Sequence, residues 1–220
     1  RQLDVWKDNN LLWWQVVASE TQALQTNPNN WVAEDVLGHA FLNLGEVEAA
    51  VSHFQAAVAI NPSDPDSNVN IGAWEQRQHN LTAAIERYRK VIAMTQNTPR
   101  QDAQSRAQAF SNMGFAWREL KDYAQARASF QQAVRINSDD SRSWLGIGVV
   151  AQKSGDVGGA IQAYTTALKI APLDWGYLLL GGALDQAGRH EEAQAARRQA
   201  AAISQNIGQA QKTADSVLGQ

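Results

Sequence analysis

The sequence predicts an all-α fold, a right-handed superhelical solenoid of antiparallel helix pairs, and three observations predict it. Gly38, Gly72, Gly114, Gly148 and Gly181 recur at spacings of 34, 42, 34 and 33 residues. Ala50, Ala84, Ala126, Ala160 and Ala193, each twelve residues after one of those glycines, repeat the same intervals. Only 5 prolines and 15 glycines interrupt a chain of 220 residues rich in Ala, Gln and Leu, which favours helix throughout. Two markers shifting together define a unit of 34 residues, with one insertion of 8 and one deletion of 1.

Within the unit, Phe54, Tyr88, Phe130 and Tyr164 follow the alanines by four residues, and Arg197 breaks the series. Ala57, Val91, Ala133, Ala167 and Ala200 come three further on, then Ile60, Met94, Ile136, Ile170 and Ile203. Steps of four, three and three hold one face of an α-helix, so these residues form the apolar stripe of a second helix. The set around the glycine (Leu37, Ala40, Phe41 and Leu44 in the first copy) marks a first helix. Gly45, Gly155 and Gly188 mark the turn between them, and Asn61-Pro62 and Ala171-Pro172 close a unit because proline cannot continue a helix. Small residues at the glycine and alanine positions let two helices approach to ~8–10 Å. One such hairpin cannot bury its whole apolar face, so neighbours stack and the array coils.

These residues resemble the tetratricopeptide repeat. Leu37-Gly38, Phe41, Ala50, Phe54, Ala57 and Pro62 match its pattern in one copy, and Trp144, Gly148, Ala160, Tyr164, Ala167 and Pro172 in another. His79 and Lys121 replace the turn glycine, Gln96 and Ser138 the closing proline, and Arg197 an aromatic. The expected organisation is an N-terminal half-repeat or capping helix over 1–30, whose run Leu11, Leu12, Trp14, Val17, Ala18 and Leu24 reads as a second helix. Repeats follow over 31–64, 65–98, 107–140, 141–173 and 174–207. A weak amphipathic helix at 208–220, carrying Ala210, Ala214, Val217 and Leu218, is expected to cap the last repeat. In the insertion at 99–106, Thr98 as N-cap, Pro99 at the first helical position and Gln101 completing a capping box predict a first helix lengthened by about two turns.

Other chemistry is not expected. A net charge of −3 gives no case for nucleic acid or an anionic membrane surface. Without cysteine there is no disulfide or thiolate site, and no apolar run is long enough to span a bilayer. His39, His53, His79 and His190 are scattered, with no pair at ligand spacing. Asp64, Asp66 and Asn68 imitate the start of a calcium loop but lack its glycine and distal glutamate, and read as a capped turn between repeats. Gly158-Gly159 and Gly181-Gly182 read as close-packing sites inside helices. No catalytic residue, metal or cofactor is expected, and the chain reads as no enzyme. Trp144 reads as core. Trp6, Trp13 and Trp14, of eight tryptophans, read equally as cover for the first face of the stack and as contacts to a neighbouring domain.

The resemblance implies a protein-binding scaffold whose first helices line a concave groove. Its outward positions map to Asp35, His39, Asn43, Val69, Ala73, Arg77, Ser111, Phe115, Arg118, Arg142, Leu145, Val149, Gln152, Trp175 and Leu178. Val69, Phe115, Leu145, Val149 and Leu178 are expected to form an exposed apolar track for a peptide or helix. The two-carboxylate clamp of chaperone-tail-binding members is absent, since Asp35 and His39 replace its first Lys and Asn, so a Glu-Glu-Val-Asp-type tail is not the expected ligand. The chain starts at Arg1 with no signal-like segment and reads as a piece of something longer. The run from Val5 to Trp13, with Asn27-Pro28-Asn29-Asn30-Trp31, is similar to the junction where a glycosyltransferase-like membrane domain meets a tetratricopeptide tail. Alternatives to the scaffold are therefore an accessory domain of such an enzyme, and a self-assembly module whose groove takes a terminal helix of another copy. The sequence names neither partner nor compartment.

Overall fold

A computed structural model describes residues 2–98 and 102–219, with the side chains of residues 2–9 outside the description. Among the described residues twelve helices and no strand are found. Two compact units divide the chain, Arg1–Arg106 and Ala107–Gln220.

In the first unit, α1 (Gln2–Thr26) packs on α2 (Trp31–Leu44), which pairs with α3 (Val47–Ile60), and α4 (Pro65–Arg77) pairs with α5 (Leu81–Thr95). The sequence sets these boundaries locally. Asn30 and Asp64 accept amide hydrogens of Ala33 and Ser67 as N-caps, Pro65 occupies the first turn of α4, and Gly45 closes α2 at φ 83°. Asp64, Asp66 and Asn68 thus belong to a capped turn: Asn68 Nδ2 donates to the Asp64 carbonyl at 2.7 Å, and Asp66 accepts from the Ser105 hydroxyl. His79 and Lys121, standing where the repeat calls for glycine, do adopt the left-handed backbone, with φ 60° and 61°. That conformation crowds a Cβ against the following carbonyl. Lys121→Gly is therefore expected to stabilise the chain by about 1 kcal/mol despite the added freedom of the unfolded state, read as a rise in urea midpoint.

α6 (Ala103–Glu119) begins in the first unit and runs into the second, where it is followed by α7 (Tyr123–Ile136), α8 (Ser141–Lys153), α9 (Val157–Ile170), α10 (Asp174–Gln186), α11 (His190–Ile203) and α12 (Ile207–Leu218). With 17 residues against 13 in α8, α6 is lengthened by about one turn, not two. Pro99 and Gln101 of the expected capping box lie outside the described residues. Asp102, next to the helix, takes over: its carbonyl accepts the Arg106 amide at 2.9 Å and its carboxylate accepts the Thr98 hydroxyl at 2.7 Å.

The repeated glycines are sites where an aromatic ring replaces the missing side chain. A Cβ on Gly38 would lie 2.4 Å from Phe54, on Gly72 2.7 Å from Tyr88, and on Gly148 2.4 Å from Tyr164. Phe130 is held from two sides: a Cβ on Gly114 would come within 2.6 Å of its ring, and one on Gly146, in the next first helix, within 2.5 Å. At Gly181 the aromatic is gone, and the stem of Arg197 fills in at 3.3 Å while its guanidinium pairs with Asp185. The close-packing reading fails for Gly158 and Gly182, where nothing lies within 4 Å of an added Cβ, and Gly159 meets only its own N-cap, Asp156.

Trp144 is half-buried against the core of the second unit, its Nε1 donating to the Ser138 carbonyl at 2.9 Å. In α1, Trp13 is half-buried, and Trp14 is 51% exposed with its ring edge-on to Phe41 at 6.3 Å. Trp6 and most of the Val5–Trp13 run lie on helical backbone whose side chains are outside the description.

Candidate functional site

The first helices of neighbouring pairs pack on one another, and this corrects the expected apolar track. Three residues before each repeat glycine stand Asp35, Val69, Ser111, Leu145 and Leu178. Val69, Ser111 and Leu145 are buried, with exposures of 1%, 4% and 3%, while Asp35 and Leu178 are half-buried. This position is turned inward, and at Asp35, Ser111, Leu145 and Leu178 it meets the adjacent first helix. The contacts show it: the Ser67 hydroxyl donates to Asp35 Oδ1 at 2.7 Å, joining α2 to α4. In the second unit, Ser143 Oγ lies 2.6 Å from Asp140 Oδ2 and 2.8 Å from Ser111 Oγ, so Ser143 donates to the carboxylate and accepts from Ser111, joining α6 to α8. Ser105 on Asp66 and Ser204 on Asp174 (2.6 Å) add two more serine–aspartate contacts between elements, none of them singled out in the sequence reading. The partners that lie on different elements are 30 to 39 residues apart, roughly one repeat, and that separation is their trace in the sequence.

Positions just after the glycines are the ones left open. In the first unit His39 and Ala73 are half-buried and Asn43 and Arg77 exposed. His39 sets its ring edge-on to Phe54 at 5.2 Å with Nε2 3.7 Å from Asp35. Burial raises the Asp35 pKa above the usual carboxylate range, a shift that the Ser67 hydrogen bond and His39 oppose. Away from this face, His53 stacks on Phe41 at 5.2 Å and holds Nδ1 2.7 Å from Glu34 Oε2.

In the second unit, Phe115 is half-buried, edge-on to Phe130 at 4.9 Å, with the guanidiniums of Arg118 and Arg142 at 5.4 and 5.1 Å from its ring centroid. Burial lowers the Arg118 pKa, partly offset by Glu119. Burial likewise raises that of the Tyr164 hydroxyl, which donates to Gln152 Oε1 at 2.9 Å. Gln152 is thereby committed, also donating to Gln186 at 3.1 Å.

Val149 is the exception among the open positions. His39, Ala73 and Phe115 at equivalent places are half-buried, yet Val149 is 1% exposed. The reason is α12, which packs on α10 and α8, first helices both, and whose Ala214 shares a core with Leu145, Val149 and Leu179. Trp175, Leu178, Val217 and Leu218 pack against that core. The tail therefore packs on first helices, most extensively on α10 of the last pair and also on α8, over positions expected to line the groove. The exposed residues of α11 are mixed: Glu191, Glu192, Gln194, Arg197, Arg198 and Gln199 are polar, and Ala195, Ala201, Ala202 and Ile203 apolar. Sequence reasoning had the stripe Ala210, Ala214 and Val217 in hand but no signal for which face it meets.

Among the described residues no group of three or more His, Asp or Glu is placed to hold a metal ion, and no helix is long and apolar enough to cross a membrane.

Comparison with known proteins agrees with this architecture. Residues 63–139, 116–174 and 36–64 each match a profile described as tetratricopeptide repeat. BBSome complex member BBS4 of Xenopus tropicalis is 24% identical over 128 residues, 58% of this chain and 23% of that protein. The chain spans less than a third of the length of the curated relatives it matches, at most 31%. Among solved structures, PilW, a type IV pilus biogenesis factor, superposes with a TM-score of 0.75 at 17% identity, covering 93% of this chain and 97% of that one. YrrB, described as having an unusual peptide-binding site, superposes with a TM-score of 0.62 at 15% identity, covering 88% and 96%.

Proposed function

Residues 36–174 of this chain carry tetratricopeptide repeats, and from that premise we propose that it is a non-catalytic interaction scaffold holding a helical segment of a partner protein against its first helices. The observation that carries this reading is α12 itself. An amphipathic helix already lies on α8 and α10, with Ala210 and Ala214 turned in and Gln209, Gln211, Lys212 and Ser216 turned out. A face that accepts one such helix has the width and apolar lining for another of that kind. The working positions are those the structure leaves accessible or covers only with α12: His39, Asn43, Ala73 and Arg77 in the first unit, and Phe115, Arg118, Arg142, Val149, Trp175 and Leu178 in the second. Val69, Ser111 and Leu145 are not among them, since substituting them would damage the fold rather than test binding. The peptide-binding description of YrrB supports the same class of activity by analogy of fold.

The test is site-specific photo-crosslinking in the source organism. A photoreactive residue at Ala73 or Phe115 is expected to capture a discrete polypeptide, whereas one at Gln55 or Gln131, exposed on second helices, captures none. Adducts at Gln55 and Gln131 with none at Ala73 and Phe115 would place the working surface on the opposite face and overturn the reading.

A further inference from the structure

We propose that α12 is an exchangeable internal ligand, displaced by a partner helix that carries bulky apolar residues at the places of Ala210 and Thr213 and acidic residues at its C-terminal end. The inference rests on the helix-binding reading above and specifies its ligand.

α12 is seated through small residues and does not fill its place. Only Ala210 and Ala214 of its side chains are fully buried. Where its N-terminal half meets α10, an open pocket of about 460 Å³ remains, lined by Leu173, Trp175, Ile203, Ala210 and Thr213 among others. Void of this kind denies the lining atoms their dispersion partners, and longer side chains at the Ala210 and Thr213 positions of a competing helix would supply them. At the other end of α12 a second open pocket of about 340 Å³ lies between Val217 and Leu218 and the residues Arg118, Lys121, Val149 and Lys153. Three cations and one acid, Glu119, surround this end. They complement the negative end of a helix dipole and fix the direction in which a helix enters. α12 exploits them little. Its acidic residue in the last turn, Asp215, accepts from its own Gln211 at 2.7 Å. A helix with carboxylates at that end gains an attraction α12 does not use.

Three residues, Ser204 to Asn206, join α11 to α12, anchored by the Ser204–Asp174 hydrogen bond at 2.6 Å and by Asn206 capping α12 through the Gln209 amide at 3.0 Å. A protein whose binding-competent state is only partly populated shows an affinity reduced by that fraction, so variants that shift α12 must shift apparent affinity in step.

The experiment uses the full chain and a fluorescein-labelled peptide of the Asn206–Leu218 sequence bearing Thr213→Leu and Ser216→Glu, followed by fluorescence polarisation. Three chains are compared: the natural one, Ala214→Glu, which unseats α12, and Thr213→Leu, which fills its pocket and tightens it. Circular dichroism confirms that each remains helical. The expected result is at least tenfold tighter peptide binding by Ala214→Glu than by the natural chain, and weaker binding by Thr213→Leu. Equal binding by all three overturns the exchange of α12 while leaving the helix-binding reading in place. Absence of binding by any of them, with Ala214→Glu folded, makes α12 a permanent cap and overturns both.

Discussion

Phe130→Ala is expected to destabilise the unit Ala107–Gln220 by about 3–5 kcal/mol, among the largest effects any single side chain here can produce. The ring is fully buried and clamped between Gly114 of its own pair and Gly146 of the next, so neither side can relax inward without moving a helix. The same geometry predicts the sign of two glycine substitutions that sequence alone would treat alike. Gly146→Ala drives a methyl group to 2.5 Å from the Phe130 ring. Overpacking typically costs about 1–3 kcal/mol and helix propensity returns about 1, leaving a net loss. Gly182→Ala meets nothing within 4 Å and should gain about 1 kcal/mol from propensity alone. Because stacked repeats need not unfold in a single step, the readout is native-state amide exchange within the second unit. Combining Phe130→Ala with Gly146→Val closes the cycle, since the valine enters the volume the ring vacated and the pair should cost at least 1 kcal/mol less than the sum, on the order expected for contacting residues. Strict additivity would show that the clamp does not exist.

The helix pairs were legible because their signal is redundant. Glycine, alanine and aromatic positions each carry the period independently, and each has a local physical reason that survives in the structure. Substituted turns were legible too: His79 and Lys121 keep the left-handed backbone the repeat demands. The length of α6 was over-read by about a turn, because capping signals place a helix start only to within a few residues. The groove was only half legible. A helical wheel shows which residues share a face, but not how wide a sector the adjoining first helix covers. Val69 and Leu145 fell inside that sector, and Asp35 and Ser111, polar on paper, are polar because they bond across it. Least legible was the tail. Its stripe of Ala210, Ala214, Val217 and Leu218 fits an end cap and a groove equally well, and nothing in the stripe itself says that Ala214 will share a core with Leu145, Val149 and Leu179.

That packing has a measurable consequence when the tail is removed. A chain ending at Ser204 loses α12 and with it the cover over Val149, Trp175 and Leu178. The methyl groups of Ala210 and Ala214, with about half of the methyl and methylene groups of the partly buried Val217 and Leu218, at ~0.8 kcal/mol each, put the loss at about 4 kcal/mol. The remaining helices keep their own pairing, so far-ultraviolet helicity should fall only by the share of α12, while the truncated chain binds an apolar dye and self-associates through the uncovered face. Position decides between the two roles of the tail. If α12 covers the first helices, amide exchange quickens in α10 and α8 and stays unchanged in α11. An end cap gives the reverse, with α11 fraying first and α8, three helices further in, protected as before. Quickening confined to α11 would return the tail to the role its sequence first suggested and remove the groove occupant on which the ligand assignment stands.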